Sequence, residues 1–399
     1  MTRLITRLDD LSTTGRHLML ASGGLDSTFG IRWAAEHDLD LSCLHIDLGG
    51  GGPHGLEELE AHYGIPVRVV DGRQRFADEF VAPAIAAGSL YQGVYPLSSS
   101  LSRPMMAQIA VEEARAIGAD TIVHTSEPHQ NSFNRFNLSI AQCGPEFNIA
   151  NPFLDSRIDR AEKRATLERD GIVLVEPVHS VDANLWCRVI ENGSIDDSGA
   201  PIPESVFSWT QPREHDAPTV VELEFEAGCP VAIDGERMAL TTIIAHLNEI
   251  AGGYGIGRYN GFEQTPWGAK NHEVREAPAA ATILGAVRQL RQMTLPDDAL
   301  DLLGTLASSW LHAAARGSWF AVSTEALAQA IGTLNRFASG TAVMELRHGD
   351  PFVTAVRSDR GLAFDSHPID LDEPLSYERL LTAALDINRA GRPAPVAAK

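Results

Sequence analysis

The segment Ser22-Gly23-Gly24 is where the sequence first offers the chemistry of a binding site. It follows the apolar run Leu18–Ala21 and precedes Leu25-Asp26-Ser27-Thr28. A strand that leads through small residues into a helix leaves backbone N–H groups free to surround an anion, and the helix dipole favours negative charge there. The sequence lacks the lysine of the G-x-x-x-x-G-K-[ST] loop, so the phosphate grip of kinases and GTPases is not expected. The segment predicts a phosphate site, with an ordinary strand-to-helix turn as the alternative.

Alternating strands and helices surround this segment. From Arg16 to about Val175, short apolar runs alternate with helical periodicity, which is the pattern of a parallel sheet covered by helices. The predicted strands are HLMLAS, DLSCLHIDLG, PVRVVD and TIVHT, and the predicted helices are TFGIRWAAEH, RFADEFVAPAIAAG and SRPMMAQIAVEEARAIG. This order predicts an α/β fold with a doubly wound parallel sheet, in which ligands bind at the carboxyl ends of the strands.

The composition and pattern of the sequence change around Ser180. The segment TVVELEFEAGCPVAIDG alternates like two antiparallel strands with a turn at Glu226-Ala227-Gly228. Helices are predicted around TTIIAHLNEIAGGYG and over Ala280–Met293. These features predict a second, α+β domain. The predicted divisions are 1–175, 176–374 and 375–399, the last holding an amphipathic helix, SYERLLTAALDINRAG, and a Pro/Ala-rich tail.

Composition excludes some partners. The 399 residues include 53 acidic and 32 basic side chains, a formal net charge of −21. Such a surface repels phosphate backbones and anionic lipid, so we expect no nucleic acid and no membrane partner. No window reaches the roughly 18 apolar residues of a membrane span. Residues 1–17 lack the apolar region of a secretory signal, and we therefore expect a cytoplasmic protein.

Cysteine and histidine patterns give no sign of a metal site. Cys43, Cys143, Cys187 and Cys229 are widely separated, which disfavours a zinc cluster and a redox dithiol and favours reduced, mostly buried thiols. The 14 histidines show no H-x-x-x-H or H-E-x-x-H spacing on a convincing helix. We expect no metal bound by a side-chain cluster.

The run SGGLDST resembles the pyrophosphatase loop of the N-type ATP pyrophosphatases. Within that superfamily, further segments resemble argininosuccinate synthase. They are residues 80–120, with Tyr95 and Ser99-Ser100-Leu101-Ser102-Arg103-Pro104, then LNEIAGGYGIGRYNGFE and EAPAAATIL, and the similarity extends from about Arg16 to Phe364. The resemblance implies an adenine nucleotide alpha-hydrolase-like domain at 1–175, a synthetase domain at 176–374, and a C-terminal helix at 375–399 that joins a homotetramer.

The resemblance also implies a reaction. In the family, a ureido oxygen of citrulline attacks ATP to give an adenylated isourea and pyrophosphate, and an amine then displaces AMP. ATP and Mg²⁺ are the implied cofactors, and a ureido amino acid and an amine are the implied small-molecule partners. The implied ATP-binding residues are Leu20, Ala21, Ser22, Gly23, Gly24, Leu25, Asp26, Ser27, Thr28, Ile46 and Asp47, with Asp26, Ser27 and Arg103 as catalytic residues. The implied substrate-binding residues are Tyr95, Ser99, Ser100, Glu127, Asn131, Ser132, Arg135, Ser180, Glu263 and Arg275.

Each side chain has a simpler interpretation when taken singly. Arg103 and Arg135 could form surface ion pairs, and Ser100 could cap a helix. Glu263 could be a solvated strand residue, and Asp47 could be a turn former. Their matching relative positions in two domains favour a shared site, in which Arg135 clamps a carboxylate and Glu263 holds an ammonium.

The sequence departs from the family in His124–Phe136, HTSEPHQNSFNRF. Glu127 stands where the family has a threonine and Ser132 where it has an aspartate, and Pro128 stiffens a stretch that is glycine-rich in the family. Glu127 would repel an aspartate substrate if it faced the same space. We therefore predict an amine other than aspartate.

Two further departures lie in the second domain, where Val189 replaces a serine and Arg275 a tyrosine. The added charge of Arg275 suggests an acceptor with an extra anionic group or a shifted carboxylate. The alternatives are an ordinary argininosuccinate synthase, a non-catalytic nucleotide-binding relative, and a sulfur-inserting tRNA enzyme, which the acidic surface and the absence of a cysteine pair disfavour.

Overall fold

A computed structural model of the chain describes residues 3–11, 15–51, 55–156, 158–175, 178–213 and 217–362, together with Glu378, Leu381, Thr382 and Leu385. The strands are β1 (Leu4–Ile5), β2 (Arg16–Leu20), β3 (Asp40–Asp47), β4 (Val67–Asp71), β5 (Thr121–Val123), β6 (Asn148–Ala150), β7 (Ser180–Ala183), β8 (Arg188–Glu191), β9 (Thr219–Glu226), β10 (Cys229–Ile233), β11 (Glu236–Arg237), β12 (Arg258–Gln264), β13 (Lys270–Glu276), β14 (Gly340–Arg347) and β15 (Asp350–Arg357). The helices are α1 (Leu25–Glu36), α2 (Leu56–Tyr63), α3 (Arg73–Arg75), which continues through a π-helical stretch (Phe76–Val81) into α4 (Ala82–Ala87), then α5 (Ser99–Ile117), α6 (Asn131–Cys143), α7 (Arg160–Arg169), α8 (Leu240–Gly252), α9 (Pro278–Thr294), α10 (Asp297–Ala315) and α11 (Val322–Asn335).

The first part of the chain builds a parallel sheet with the strand order β1-β6-β5-β2-β3-β4. Side chains alternate along β2, so that Leu18 and Leu20 join the hydrophobic core on the α5 face, while Met19 joins a second core that contains Ile31 of α1. Helices therefore cover both faces of the sheet. The predicted doubly wound α/β fold is confirmed.

One edge of this sheet was not predicted. Leu4 pairs with Ile149 and Ile5 with Ala150, which places β1 parallel to β6 at the end of the sheet. A strand of two residues is too short to show the alternation from which strands are recognised. The N-terminal segment thus closes an edge that would otherwise expose unpaired backbone groups.

The second part of the chain is α+β, as predicted. One antiparallel sheet has the order β11-β10-β9-β14-β15, and another has the order β12-β13-β8-β7. The predicted hairpin is β9–β10, in which Cys229 pairs with Glu226 across a two-residue turn. Ala227 and Gly228 in that turn have φ values of +49° and +78°, the left-handed conformations of a type I′ turn.

Helices α8 and α9 correspond to the two predicted helical segments, whereas α10 and α11 were not predicted. Ile283 and Leu290 of α9 share a core with Phe225 of β9. The connection between α10 and α11 reaches the first part of the chain, where Trp319 stacks on Phe80 with ring centroids 4.7 Å apart. The two parts are thereby packed into one body around a common core.

The predicted C-terminal helix lies almost wholly outside the described residues. Glu378, Leu381, Thr382 and Leu385 are helical. Among the helices that the structure describes, none has the length and apolar content that crossing a membrane would require.

Candidate active site

The glycine segment forms a loop between β2 and α1 at the carboxyl edge of the parallel sheet. Gly23 has a φ of +76°, and Gly24 precedes the first helical residue with extended backbone. Ser27 Oγ donates to the Gly24 carbonyl at 3.0 Å, and Thr28 Oγ1 donates to the Gly23 carbonyl at 3.3 Å. These bonds occupy the loop carbonyls, while the first-turn N–H groups of a helix have no acceptor within the helix. Ser22 and Gly24 are exposed, so the loop is open to a ligand.

Four of the predicted ATP-binding residues offer only backbone atoms. The side chains of Leu20, Ala21, Leu25 and Ile46 are buried in the hydrophobic cores. The Ala21 N–H is already used, since it donates to the Leu44 carbonyl at 2.9 Å. Any contact of these four residues with nucleotide would therefore be made by the remaining main-chain groups.

Asp47 forms a turn, which was the alternative to its predicted role in ATP binding. Its Oδ1 accepts the Gly49 N–H at 2.8 Å, which is an Asx turn after β3. Its other oxygen lies 3.7 Å from Arg73 Nε. The carboxylate of Asp47 thus has local partners at the sheet edge.

A cavity of about 200 Å³ lies where α5 and α6 face the four-stranded sheet. Seven of its lining residues were predicted from the sequence, namely Ser99, Arg103, Asn131, Ser132, Arg135, Ser180 and Glu263. The other lining residues are His129, Gln130, Asp182, Glu191, Asn192, Thr265, Asn271 and Glu273. The structure therefore brings most of the predicted substrate-binding residues to one place.

Arg135 is buried, so it does not form the surface ion pair that was the alternative to a role in substrate binding. Only 2% of the residue is exposed. Its Nη2 donates to Glu263 Oε1 at 2.7 Å, its Nη1 to Ser99 Oγ at 2.7 Å, and its Nε to the Ala315 carbonyl at 3.0 Å. Glu263 is likewise buried rather than solvated. This network fixes the planar guanidinium at the cavity wall.

Arg103 pairs across the cavity with a residue that sequence reasoning missed. Its Nη2 donates to Asp182 Oδ2 at 2.6 Å, and its Nε donates to Ser132 Oγ at 3.2 Å. Asp182 lies on β7, and nothing in its local sequence distinguishes it from a turn or surface carboxylate. Ser132, which stands where the resemblance placed an aspartate, thus accepts a hydrogen bond from Arg103.

The cavity also contains carboxylates with opposed electrostatic environments. Burial would raise the pKa of Glu263, but Arg135 and Arg275 outweigh it and lower that pKa to about 2. Burial raises the pKa of Glu273 to about 8, since the nearby Glu263 and Glu191 carboxylates oppose the effect of Arg275. Burial and neighbouring carboxylates also raise the pKa of Glu191, whose Oε2 accepts from Asn271 Nδ2 at 3.0 Å. Sequence reasoning missed Glu191 and Glu273, because burial creates these environments.

Arg275 and Tyr95 lie outside the set of lining residues. The Arg275 guanidinium stacks over the Tyr95 ring at 3.8 Å, donates to the Pro96 carbonyl at 3.1 Å, and forms an ion pair with Glu273. The guanidinium that we expected at the substrate is therefore held by Glu273, the Tyr95 ring and the Pro96 carbonyl. Tyr95 is buried, and its hydroxyl has no hydrogen-bond partner among the residues that the structure describes. Val189 pairs with Arg275 across β8 and β13 and is buried.

Glu127 and Ser100 are also not among the lining residues, although Glu127 contacts two residues that are, His129 and Gln130. The Glu127 carboxylate lies 3.2 Å from His129 Nε2, and the Glu127 backbone N–H donates to Gln130 Oε1 at 3.2 Å. The repulsion expected between Glu127 and an aspartate substrate is thus not supported by this geometry. Ser100 is buried within the first turn of α5, which begins at Ser99 after Ser98, so Ser100 is not the N-cap.

A lysine from α7 reaches the glycine loop. Lys163 Nζ donates to Asp26 Oδ1 at 2.7 Å. The two residues are 137 positions apart, and Lys163 lies in an ordinary charged helical segment. No signal in the sequence indicated this contact.

The parallel sheet, the open glycine loop after β2 and the charged cavity beside the second part of the chain are typical of α/β nucleotide-binding enzymes. Residues 17–173 match the arginosuccinate synthase N-terminal HUP domain, and residues 179–382 match the arginosuccinate synthase C-terminal domain. The chain belongs to the argininosuccinate synthase family, whose members are ligases that form a carbon–nitrogen bond with ATP.

Relatives at about one-third identity span most of the chain. The argininosuccinate synthase of Pyrobaculum aerophilum is 35% identical over 349 residues, which are 85% of this chain and 88% of the relative. That of Rubrobacter xylanophilus is 36% identical over 87% of each chain. That of Pyrococcus furiosus is 33% identical over 87% of this chain and 86% of the relative. Both domains of the family are therefore represented here.

Proposed function

We propose that this protein is an ATP-dependent ligase that adenylates a ureido oxygen and then couples an amine. In the first step the ureido oxygen attacks the α-phosphorus of ATP, the bond to the β-phosphate bridging oxygen breaks, and pyrophosphate leaves. In the second step the amine nitrogen attacks the isourea carbon, the bond to the AMP oxygen breaks, and a proton is released. The observation that supports this proposal best is the open glycine loop at the sheet edge in a chain that also carries the charged cavity.

The glycine loop has the features needed to bind the leaving pyrophosphate. Its first-turn N–H groups and the dipole of α1 favour a phosphate anion. The loop also carries the hydroxyl groups of Ser22 and Ser27, whose Oγ atoms lie 3.4 Å apart. These hydroxyls and the Asp26 carboxylate supply oxygen donors, which suit Mg²⁺. Mg²⁺ bound with ATP would neutralise phosphate charge, and Asp26 and Ser22 are the residues that would hold it.

Arg135 and Glu263 are complementary to the two charged ends of an amino acid. A carboxylate can accept two bonds from the Arg135 guanidinium, and an ammonium can donate to Glu263. Arg135 Nη2 and Glu263 Oε1 lie 2.7 Å apart. When an amino acid binds, its carboxylate would replace Glu263 at Arg135, and its ammonium would replace Arg135 at Glu263. Neither buried charge would then lose its partner. We therefore assign a citrulline-like ureido amino acid to this cavity, with Ser99, Asn131 and Ser180 at its margin.

We further propose that the amine is one without additional carboxylates. The guanidiniums that line the cavity are already paired, Arg103 with Asp182 and Arg135 with Glu263. Burial and neighbouring carboxylates already raise the pKa of Glu191 and Glu273 on the same wall, so a further carboxylate there would add to the repulsion. Aspartate would bring two carboxylates into this environment, whereas a neutral or cationic amine would meet favourable partners.

ATP–pyrophosphate exchange with a panel of ureido compounds tests the first step without knowledge of the amine. Product formation with citrulline and a panel of amines then tests the second step. Efficient turnover with citrulline and aspartate, together with growth rescue of an arginine auxotroph, would instead establish the ordinary argininosuccinate synthase activity, which the family relationship fits equally well. Absence of AMP formation with every amine would leave a non-catalytic nucleotide-binding relative.

Three organisational predictions remain part of this proposal. Family-model boundaries at residues 173 and 179 support our division into 1–175 and 176–374. Free thiols at all four cysteines support a reducing, cytoplasmic location.

A homotetramer joined through 375–399 is supported by Leu381 and Leu385, which lie on one helical face and are each 47% exposed. Light scattering of a variant with both leucines changed to aspartate tests the assembly.

A further inference from the structure

The phosphate-binding loop contains no lysine of its own, yet the structure places one beside it. Lys163 reaches the loop from α7, and its Nζ donates to Asp26 Oδ1 at 2.7 Å. Asp26 lies in the first turn of α1, two residues after Gly24. The ammonium is therefore next to the backbone groups that would bind the polyphosphate.

Lys163 is held in place on several sides. Only 5% of the residue is exposed. Its Nζ lies 3.9 Å from the centroid of the Phe153 ring, which provides a cation–π contact. Phe153 follows β6 at the same carboxyl edge of the sheet, and α7 is fixed at its start by Asp159, which accepts the Ala161 N–H at 2.8 Å. Ordering the lysine side chain costs rotamer entropy, which the ion pair with Asp26 and the contact with Phe153 offset.

The charge of Asp26 creates a problem that Lys163 removes. A carboxylate in the first turn of a helix occupies the region where the helix dipole attracts anions. Left uncompensated, Asp26 would compete with the phosphates for the N–H groups and repel them. In the metal-free loop, the ion pair with Lys163 cancels that charge and draws Oδ1 of the carboxylate toward α7.

We propose that Lys163 is a positioning residue of the phosphate-binding loop, which holds the Asp26 carboxylate in place and cancels its charge where the polyphosphate binds. This inference rests on the proposed function, because it requires that the loop bind phosphate. It assigns to the glycine loop a cationic group from a helix that is remote in sequence. Lys163 acts through Asp26 and is not itself a catalytic residue.

Calorimetric binding of inorganic pyrophosphate in EDTA tests the proposal, because metal ligation by Asp26 is then excluded. Lys163→Met retains the apolar stem on Phe153 and is expected to bind pyrophosphate about tenfold more weakly, while Lys163→Arg stays within about threefold of wild type. The double variant Asp26→Asn with Lys163→Met is expected to recover most of the affinity, because neither charge remains. Urea unfolding of each variant shows whether it is folded.

The possible failures are distinct. Unchanged pyrophosphate affinity in Lys163→Met would overturn the positioning role. A folded double variant that binds as weakly as Lys163→Met would also overturn it, since the effect would then come from packing. If the wild-type protein does not bind pyrophosphate, the inference about Lys163 is overturned. If it also fails to bind ATP in the presence of Mg²⁺, the proposed nucleotide site is overturned too.

Discussion

Arg135 and Glu263 form a buried ion pair with 2.7 Å between Nη2 and Oε1, although 128 positions separate them in the sequence. The pair joins α6, beside the parallel sheet, to β12 of the second part of the chain. Because both charges are removed from water, each depends on the other and on the neutral partners around them. The cavity wall is thus also a structural junction.

Glu263→Gln is expected to destabilise the fold by about 3–5 kcal/mol, because it leaves the buried Arg135 charge without its counterion. Urea unfolding measures the change. The control is Arg237→Ala, which breaks the exposed pair with Glu226 and should leave the stability unchanged. Equal effects of the two substitutions would show that the Arg135–Glu263 pair contributes no more than a surface ion pair.

Gly23→Ala is expected to weaken pyrophosphate binding by about tenfold or more, because a side chain at φ +76° strains the loop and displaces its N–H groups. Gly64→Ala is the matched control. Gly64 has a φ of +70° at the end of α2, and an added Cβ there meets no atom within 4 Å. Both variants should lose about 1 kcal/mol of stability, measured by urea unfolding. Equal pyrophosphate affinity in the two variants would contradict the assignment of the loop.

His124 is expected to make the fold sensitive to acid. Burial lowers the pKa of His124 to about 4, and its two ring nitrogens lie 3.0 Å from Asn137 Oδ1 and 3.3 Å from Asn151 Nδ2. As the pH falls below about 6.5, His124 of the unfolded chain binds a proton, whereas His124 of the folded chain stays neutral until about pH 4. About 3 kcal/mol of folding stability is therefore lost by pH 4. Stability curves of wild type and His124→Gln over this range measure the difference. Parallel curves would refute the prediction.

Glu273 is expected to have the opposite pH dependence. Burial raises the pKa of its carboxyl group to about 8, so the folded state retains a proton that the unfolded state releases near pH 4.5. Between these values the contribution of Glu273 to stability falls as the pH rises, by up to about 1.4 kcal/mol per pH unit. Glu273→Gln mimics the protonated acid and should lack this slope. The difference between the two unfolding free energies, measured from pH 5 to 8, tests the assignment.

Local patterns were sufficient for much of the fold. Alternation and helical periodicity located β2 and α1, and the Glu226-Ala227-Gly228 turn located the β9–β10 hairpin, because each depends on residues close in sequence. The two-residue strand β1 and the helices α10 and α11 were missed. Tertiary pairing with β6 creates β1, and no local signal of that length could specify it.

The sequence by itself determined the parallel sheet, the glycine loop at its edge and the membership of the family, because these depend on short motifs and repeating patterns. Only the tertiary structure decided which charges are partners: Arg103 with Asp182, Arg135 with Glu263, and Lys163 with Asp26. It also turned Glu127 toward His129 and placed Arg275 against Glu273. The physical reason is that an ion pair and a shifted pKa depend on distance and burial, and both arise only when remote segments pack together.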